Sequence, residues 1–155
     1  MSTPSSPTVI FESHSAAETY AWGRSIGAAA RSGDVIVLVG ELGCGKTVLA
    51  QGIGAGLGIS GPIPSPTFII CHEYESGRGP LFHFDLYRIG GAAELDDLGF
   101  YEYLERGVCL IEWAERADGE LPPGHLRITM EKNGETHENN CHRLIRFGRV
   151  GGHRP

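Results

Sequence analysis

Lysine is nearly missing from this chain. Of 155 residues only Lys46 and Lys132 are lysines, and the formal net charge is −6. Between residues 93 and 120 nine acids (Glu94, Asp96, Asp97, Glu102, Glu105, Glu112, Glu115, Asp118, Glu120) face only Arg106 and Arg116. Such a surface repels a polyanion and argues against tight autonomous binding of nucleic acid. The balance turns basic only after Leu126, with Arg127, Lys132, Arg143, Arg146, Arg149 and Arg154. No apolar run approaches the roughly 20 residues a membrane span needs. The opening residues are Ser/Pro-rich and carry no basic, then apolar, signal peptide, so the expected setting is cytoplasmic, with no membrane role. The four cysteines, Cys44, Cys71, Cys109 and Cys141, form no C-x-x-C pair, which predicts reduced thiols. There is no internal repeat, and the length suits one domain with one real core.

What is present centres on Gly40-Glu41-Leu42-Gly43-Cys44-Gly45-Lys46-Thr47, which fits G-x-x-x-x-G-K-[ST]. Gly40 and Gly45 let the backbone curl without a Cβ in the way, and the curled loop turns its N–H groups inward as a nest for phosphate. Lys46 brings a point charge to the β- and γ-phosphates, and the Thr47 hydroxyl is placed for Mg²⁺. The context is right. Residues 34–39 are an apolar run of the kind that forms a parallel strand buried on both faces. Val48, Leu49, Ile53 and Leu57 then recur at helical spacing. This sets the phosphates at a helix N-terminus, with Glu41 to Val48 as the nucleotide-binding stretch. No Asn-Lys-x-Asp guanine signature occurs, which favours ATP.

Along the chain, residues 1–8 read as a disordered lead, 9–147 as the folded domain and 148–155 as a frayed tail. Residues 9–11 suit a short strand. Ser15-Ala-Ala-Glu18 is a capping box. Trp22, Ile26, Ala29 and Ala30 make one helical face, with Gly33 suited to end it. Gly52, Gly54 and Gly56 weaken the helix after the phosphate loop by about 1 kcal/mol each, which close packing against a neighbour would compensate. Pro62, Pro64 and Pro66 stiffen a loop from which Thr67 emerges with its hydroxyl available, either as a γ-phosphate sensor or as an ordinary strand starter. Residues 67–74 and 81–87 read as an antiparallel hairpin. Short acidic helices over 92–98 and 100–105 flank Gly99. Residues 108–111 form a buried strand, and 126–131 with 141–147 a closing antiparallel pair. The fold class is α/β, a three-layer phosphate-loop domain with a mostly parallel central sheet plus antiparallel strands.

A phosphate-loop enzyme needs an acid at the end of a neighbouring strand. Glu112, after Val108-Cys-Leu-Ile111, is the better candidate, and Asp85, after Phe82-His-Phe84, the second. Their roles in holding metal or aligning water stay open. Arg88 suits either transferring phosphate or surface docking. His83 reads as a strand histidine facing away from Phe82 and Phe84. His137, Cys141 and His142 lie close together but fall short of a zinc ligand spacing. A small-molecule kinase and a non-catalytic ATP-gated adaptor are the alternative readings. A kinase's arginine-bearing lid is not visible before Arg143.

Taken together, the phosphate loop, Ser65-Pro-Thr-Phe68, His83-Phe-Asp-Leu-Tyr-Arg88, Glu94-Leu-Asp-Asp-Leu-Gly99 and Leu110-Ile-Glu-Trp-Ala-Glu115 resemble the TsaE (YjeE) family, in its order and spacing over about residues 13 to 131. The resemblance implies an ATPase needed to make threonylcarbamoyladenosine in tRNA, working with the TsaD and TsaB proteins and meeting tRNA only through that complex. It implies that Lys46 and Thr47 bind phosphate and Mg²⁺, that Glu112 is a metal-side acid and that Asp85 is required for turnover. It also puts Thr67 in a switch-like segment and Trp113 beside the site. Ala114, where proline is common, and Cys44, where a smaller residue is common, are mild departures.

Overall fold

The computed structural model describes residues 8–41, 45–63, 70–117, 119–132 and 142–150. Leu42, Gly43, Cys44 and Thr67 lie outside them, as do residues 1–7 and 151–155. The elements are β1 (Val9–Ser13), α1 (Ala16–Ala29), β2 (Val35–Val39), α2 (Lys46–Gly56), β3 (Cys71–Tyr74), β4 (Leu81–Asp85), α3 (Ala92–Asp97), α4 (Phe100–Arg106), β5 (Val108–Glu112), β6 (His125–Lys132) and β7 (Arg143–Val150). They form one seven-stranded sheet, ordered β1-β7-β6-β2-β5-β4-β3. The four central strands, β6, β2, β5 and β4, run parallel. The outer pairings, β1 with β7, β7 with β6, and β3 with β4, are antiparallel. The fold is α/β, as the sequence predicts.

Strand alternation divides the core between the two faces. Ile36 and Leu38 of β2 pack with Leu110, Ile128 and α2 residues Leu49, Ala50 and Ile53. Val35 and Val37 point the other way, with Phe82, Phe84, Ile111, Leu95 and Phe100. This is why β2 is apolar at every position: Val35 to Leu38 are buried on both faces and only Val39 at its end is partly exposed.

The glycines of α2 are matched by glycines in α1. A Cβ on Gly27 would overlap the carbonyl oxygen of Ile53, and one on Gly52 would overlap that of Tyr20. A Cβ on Gly23 would lie 2.6 Å from Leu49 O. The two backbones approach so closely that only hydrogen fits, which offsets the helix-propensity cost.

Several boundaries move. The Ser15 hydroxyl caps α1 by accepting from Glu18 N at 3.1 Å, but the Glu18 carboxylate returns to His14 N, one residue before the cap, at 2.8 Å. Helix α1 ends at Ala29 with the buried Ala30 extended, and Gly33 (φ +96°) serves a separate turn, in which Asp34 accepts from Arg31 N. Strand β4 stops at Asp85 instead of residue 87, because the Asp85 carboxylate accepts from Tyr87 N at 2.9 Å and turns the chain. The tail expected from Gly148 is corrected: Gly148, Arg149 and Val150 belong to β7. Strand β6 begins at His125 and supplies ladder partners for all three, while Gly124 N donates to Val150 O at 2.7 Å. Cys71 and Cys109 are free thiols. Burial, with smaller help from Glu73, pushes Cys71 up to about 11; burial, with Cys71 adding to it, pushes Cys109 up to about 12.

Candidate functional site

The carboxyl ends of β2, β5 and β4 come out on one edge of the sheet, where ligands bind in open α/β folds. Gly45 stands at the head of α2 with φ +101°, a left-handed conformation that costs a Cβ-bearing residue. Lys46 and Thr47 follow in the first turn of the helix, with Thr47 exposed and Val48 half-buried. Glu41 is exposed at the other end of the loop.

The strand register sets the acids. Leu38 of β2 pairs with Glu112 of β5, and Glu112 in turn pairs with Asp85 of β4. Both carboxylates therefore end neighbouring strands on the face that carries α2. Lys46 Nζ lies 3.5 Å from Glu112 Oε1, with the two side chains only 15% and 10% exposed. The other oxygen, Oε2, accepts from His83 Nε2 at 2.8 Å in a buried contact. Among the described residues, His83 Nδ1 has no hydrogen-bond partner. Burial by itself pushes the Glu112 carboxyl up. The hydrogen bond and charge of His83, then those of Lys46, outweigh burial and hold it below the ordinary glutamate range. Glu112 is thus ionised and held at both oxygens.

Trp113 follows at φ +59°, rare for a bulky residue, and is 41% exposed. This backbone turn swings the indole over the edge of the site. Its ring stands edge-on to Tyr87 at 4.8 Å between centroids, and Lys46 Nζ lies 5.9 Å from its centre. Such strain clusters at functional sites. On the opposite flank of Gly45, a Cβ would lie 3.3 Å from Met130 Cε and 3.7 Å from Arg143 Nε. Arg88 stands exposed just beyond Asp85.

The structure therefore brings Lys46, Glu112 and Trp113 together, with Asp85 one strand away. The sequence reads His83 only as a strand histidine and gives it no part in the site. Its signal is the alternation Phe82-His83-Phe84-Asp85, which puts His83 on the face of Asp85 and away from both phenylalanines. The set fits magnesium nucleotide chemically. It offers a lysine at a helix N-terminus, a hydroxyl beside it, and ionised carboxylate opposite.

Comparison with known proteins agrees with this geometry. The family model described as "Threonylcarbamoyl adenosine biosynthesis protein TsaE" matches residues 13–141. A Bacillus subtilis (strain 168) protein named tRNA threonylcarbamoyladenosine biosynthesis protein TsaE is 42% identical over 135 residues, covering 86% of this chain and 81% of its own. A Streptomyces coelicolor protein of the same name is 42% identical over 113 residues, covering 71% and 76%. The crystal structure of Bacillus subtilis YdiB superposes with a TM-score of 0.73 at 36% identity, over 97% of this chain and 88% of that one. With a family match across most of its length and this phosphate-loop architecture, the chain belongs to the TsaE family.

Proposed function

We propose that the protein is a Mg²⁺-dependent ATPase serving threonylcarbamoyladenosine modification of tRNA, and that its hydrolysis of ATP supports turnover of the TsaD–TsaB transferase complex. The family's name supports the biosynthetic half of this reading. The observation that carries the catalytic half is the cluster of Lys46, Glu112 and His83 at the head of α2. Magnesium nucleotide supplies the phosphoanhydride bond and the divalent charge.

The chain's own residues supply position and charge. The backbone from Glu41 to Val48, with Leu42, Gly43, Cys44 and Gly45 inside it, is the phosphate cradle. Lys46 neutralises phosphate, and Thr47 and Glu112 hold the metal. In this structure the Lys46 ammonium is matched by Glu112, so the lysine is kept compensated and close to where phosphate charge would replace that carboxylate. His83 fixes the Glu112 carboxylate from behind and so limits its rotation. Asp85 and Thr67 complete the catalytic set proposed from the family motifs, and Trp113 shields one side. Catalysis of this kind is mostly positioning and electrostatic stabilisation.

The acidic surface fits a protein that serves tRNA through partners and does not grip it. The test is phosphate release from ATP by the protein alone, then with TsaD and TsaB, then with tRNA added. Release that rises with the partners is expected. ATP binding without release in every mixture would leave a nucleotide-gated adaptor, and phosphate appearing on a small acceptor would make the protein a kinase.

A further inference from the structure

On the same edge of the sheet as the Lys46–Glu112 pair, but on the outer strands β1 and β7, three metal-ligating side chains converge where β1 leaves the sheet. Glu12 lies in β1 and His14 is the residue just after the strand's end, two positions on, the spacing that sets side chains on one side of an extended chain. Strand β1 pairs antiparallel with β7 through Ser13 and Arg143, and continuing that register sets His142 opposite His14. The ligand atoms of all three lie within 4.8 Å of one another. Glu12 Oε2 is 3.9 Å from His14 Nε2 and 3.6 Å from His142 Nε2. The two imidazoles stack with centroids 4.5 Å apart and planes 23° apart.

We propose that Glu12, His14 and His142 form a surface site for a divalent transition-metal ion of the zinc class. Two imidazoles and one carboxylate are a familiar zinc donor set, and with three protein ligands a fourth position stays open to water. Ligand bonds of about 2.0–2.1 Å in a tetrahedron put donor atoms about 3.3 Å apart. The two measured separations from Glu12 exceed this by only a few tenths of an ångström, within reach of small rotations of exposed side chains. A single imidazole would satisfy Glu12 as an ion-pair partner, whereas two on one carboxylate make a chelating set. The backbone of the site is also held. His14 N donates to Glu18, Ser15 caps α1, and the Ser13 hydroxyl shares a buried 2.6 Å hydrogen bond with Thr19. Imidazole nitrogen selects this class of ion over magnesium, which prefers an all-oxygen shell, so the site is chemically distinct from that of the nucleotide metal. Sequence spacing conceals it, because His142 lies at the opposite end of the chain from Glu12 and His14.

The test uses the full chain stripped with chelator and titrated with Zn²⁺ by calorimetry, with Mg²⁺ as control. Parallel titrations use His14→Ala, His142→Ala, the double variant and Glu12→Gln. All replace side chains outside the nucleotide site, and retained circular dichroism verifies folding. One zinc ion per chain is expected, with a loss of at least tenfold in affinity for each histidine variant, a smaller loss for Glu12→Gln, and no comparable binding of Mg²⁺. A rise in melting temperature with Zn²⁺ should vanish in the double variant. Co²⁺ should give a nitrogen/oxygen-type spectrum. Equal zinc affinity in the wild type and the double variant would overturn the proposal. So would a thiolate-to-cobalt charge-transfer band, which would put the ion on cysteine.

Discussion

His83 Nε2 and Glu112 Oε2 lie 2.8 Å apart inside the sheet, linking β4 to β5 two residues off the direct register. The same carboxylate meets Lys46 through its other oxygen at 3.5 Å. One buried glutamate thus joins the phosphate-loop lysine to a histidine that touches no solvent. Under the proposed ATPase reading, the arrangement makes His83 a positioning residue, acting through Glu112.

Replacing His83 should separate position from binding. His83→Ala is expected to lower partner-stimulated turnover by about tenfold, roughly 1.4 kcal/mol of barrier, while ATP affinity changes little. His83→Gln, which keeps a donor, should recover part of the loss. Losing the buried hydrogen bond should also cost about 1–3 kcal/mol of stability. ATPase kinetics with a nucleotide-binding titration on both variants decide this. Equal activity in the two variants would show that the donor does not matter.

The depressed Glu112 carboxyl makes a pH prediction with a definite sign. A group whose folded-state pKa is lowered contributes stability that is fully present above its unfolded value, about 4.3, and lost as pH falls through its folded value. The stability gap between wild type and Glu112→Gln should therefore be largest near neutral pH and shrink progressively below about 4.3. Urea unfolding of both proteins at a series of pH values measures it. A gap constant from pH 7 to the acid limit would mean that the carboxylate's charge does not contribute.

The α1–α2 contact predicts sharply position-dependent glycine effects. Gly27→Ala and Gly52→Ala force a methyl into a facing backbone carbonyl, so each should cost about 1–3 kcal/mol despite alanine's better helix propensity. Gly77, with no atom within 4 Å of a new Cβ, should tolerate alanine within about 0.5 kcal/mol. Urea midpoints of the three variants provide the comparison.

The phosphate-loop reading makes the plainest functional prediction. Lys46→Ala should lose nucleotide binding or turnover while the fold survives, since its side chain carries a charge paired with Glu112 and is not a core packer. Asp85→Asn and Glu112→Gln keep shape but remove charge, and each should cut turnover at least about tenfold. Their ATP binding should suffer less, because Lys46 and the loop amides remain. Wild-type turnover in both acid variants would take these carboxylates out of the chemistry.

How far the sequence leads depends on whether a feature is local. The apolar run of β2, the loop ending in Lys46 and the acid closing β5 are each written in consecutive residues, and the fold class follows from them. Pairing Asp85 with Glu112 needs only that both end parallel strands at the same edge. The His83–Glu112 bond is not local. It depends on a diagonal contact two residues off the β4–β5 register and on Glu112 turning its second oxygen away from Lys46. Asp85 reads as strand, yet its own carboxylate ends that strand by capturing Tyr87 N. Gly148 reads as a tail because glycine favours disorder, whereas the longer β6 provides it with a partner in Arg127. The glycines of α2 announce a close neighbour but do not say that Gly23 and Gly27 supply it.

Trp113 offers a direct optical test of the site. Its positive φ turns the indole out beside Tyr87, 5.9 Å from the Lys46 ammonium, and leaves it 41% exposed. Trp22 sits elsewhere, stacked on Phe11 at 5.7 Å and edge-on to Phe147 at 4.8 Å. Nucleotide bound at Lys46, as proposed, would change the charge and solvent around Trp113 and leave the surroundings of Trp22 untouched. Mg-ATP should therefore alter the protein's emission, and Trp113→Phe should remove most of that change while Trp22→Phe preserves it. Trp113→Gly adds a second reading: glycine adopts φ +59° without strain, so the backbone stays in place and only the ring is lost. If the ring shields one side of the phosphates, Trp113→Gly should bind ATP more weakly, and Trp113→Phe, which keeps an aromatic ring, should lose less. If the turn alone matters, both Trp113→Gly and Trp113→Phe should bind ATP normally. An emission change that survives in Trp113→Phe would place the nucleotide away from this edge of the sheet.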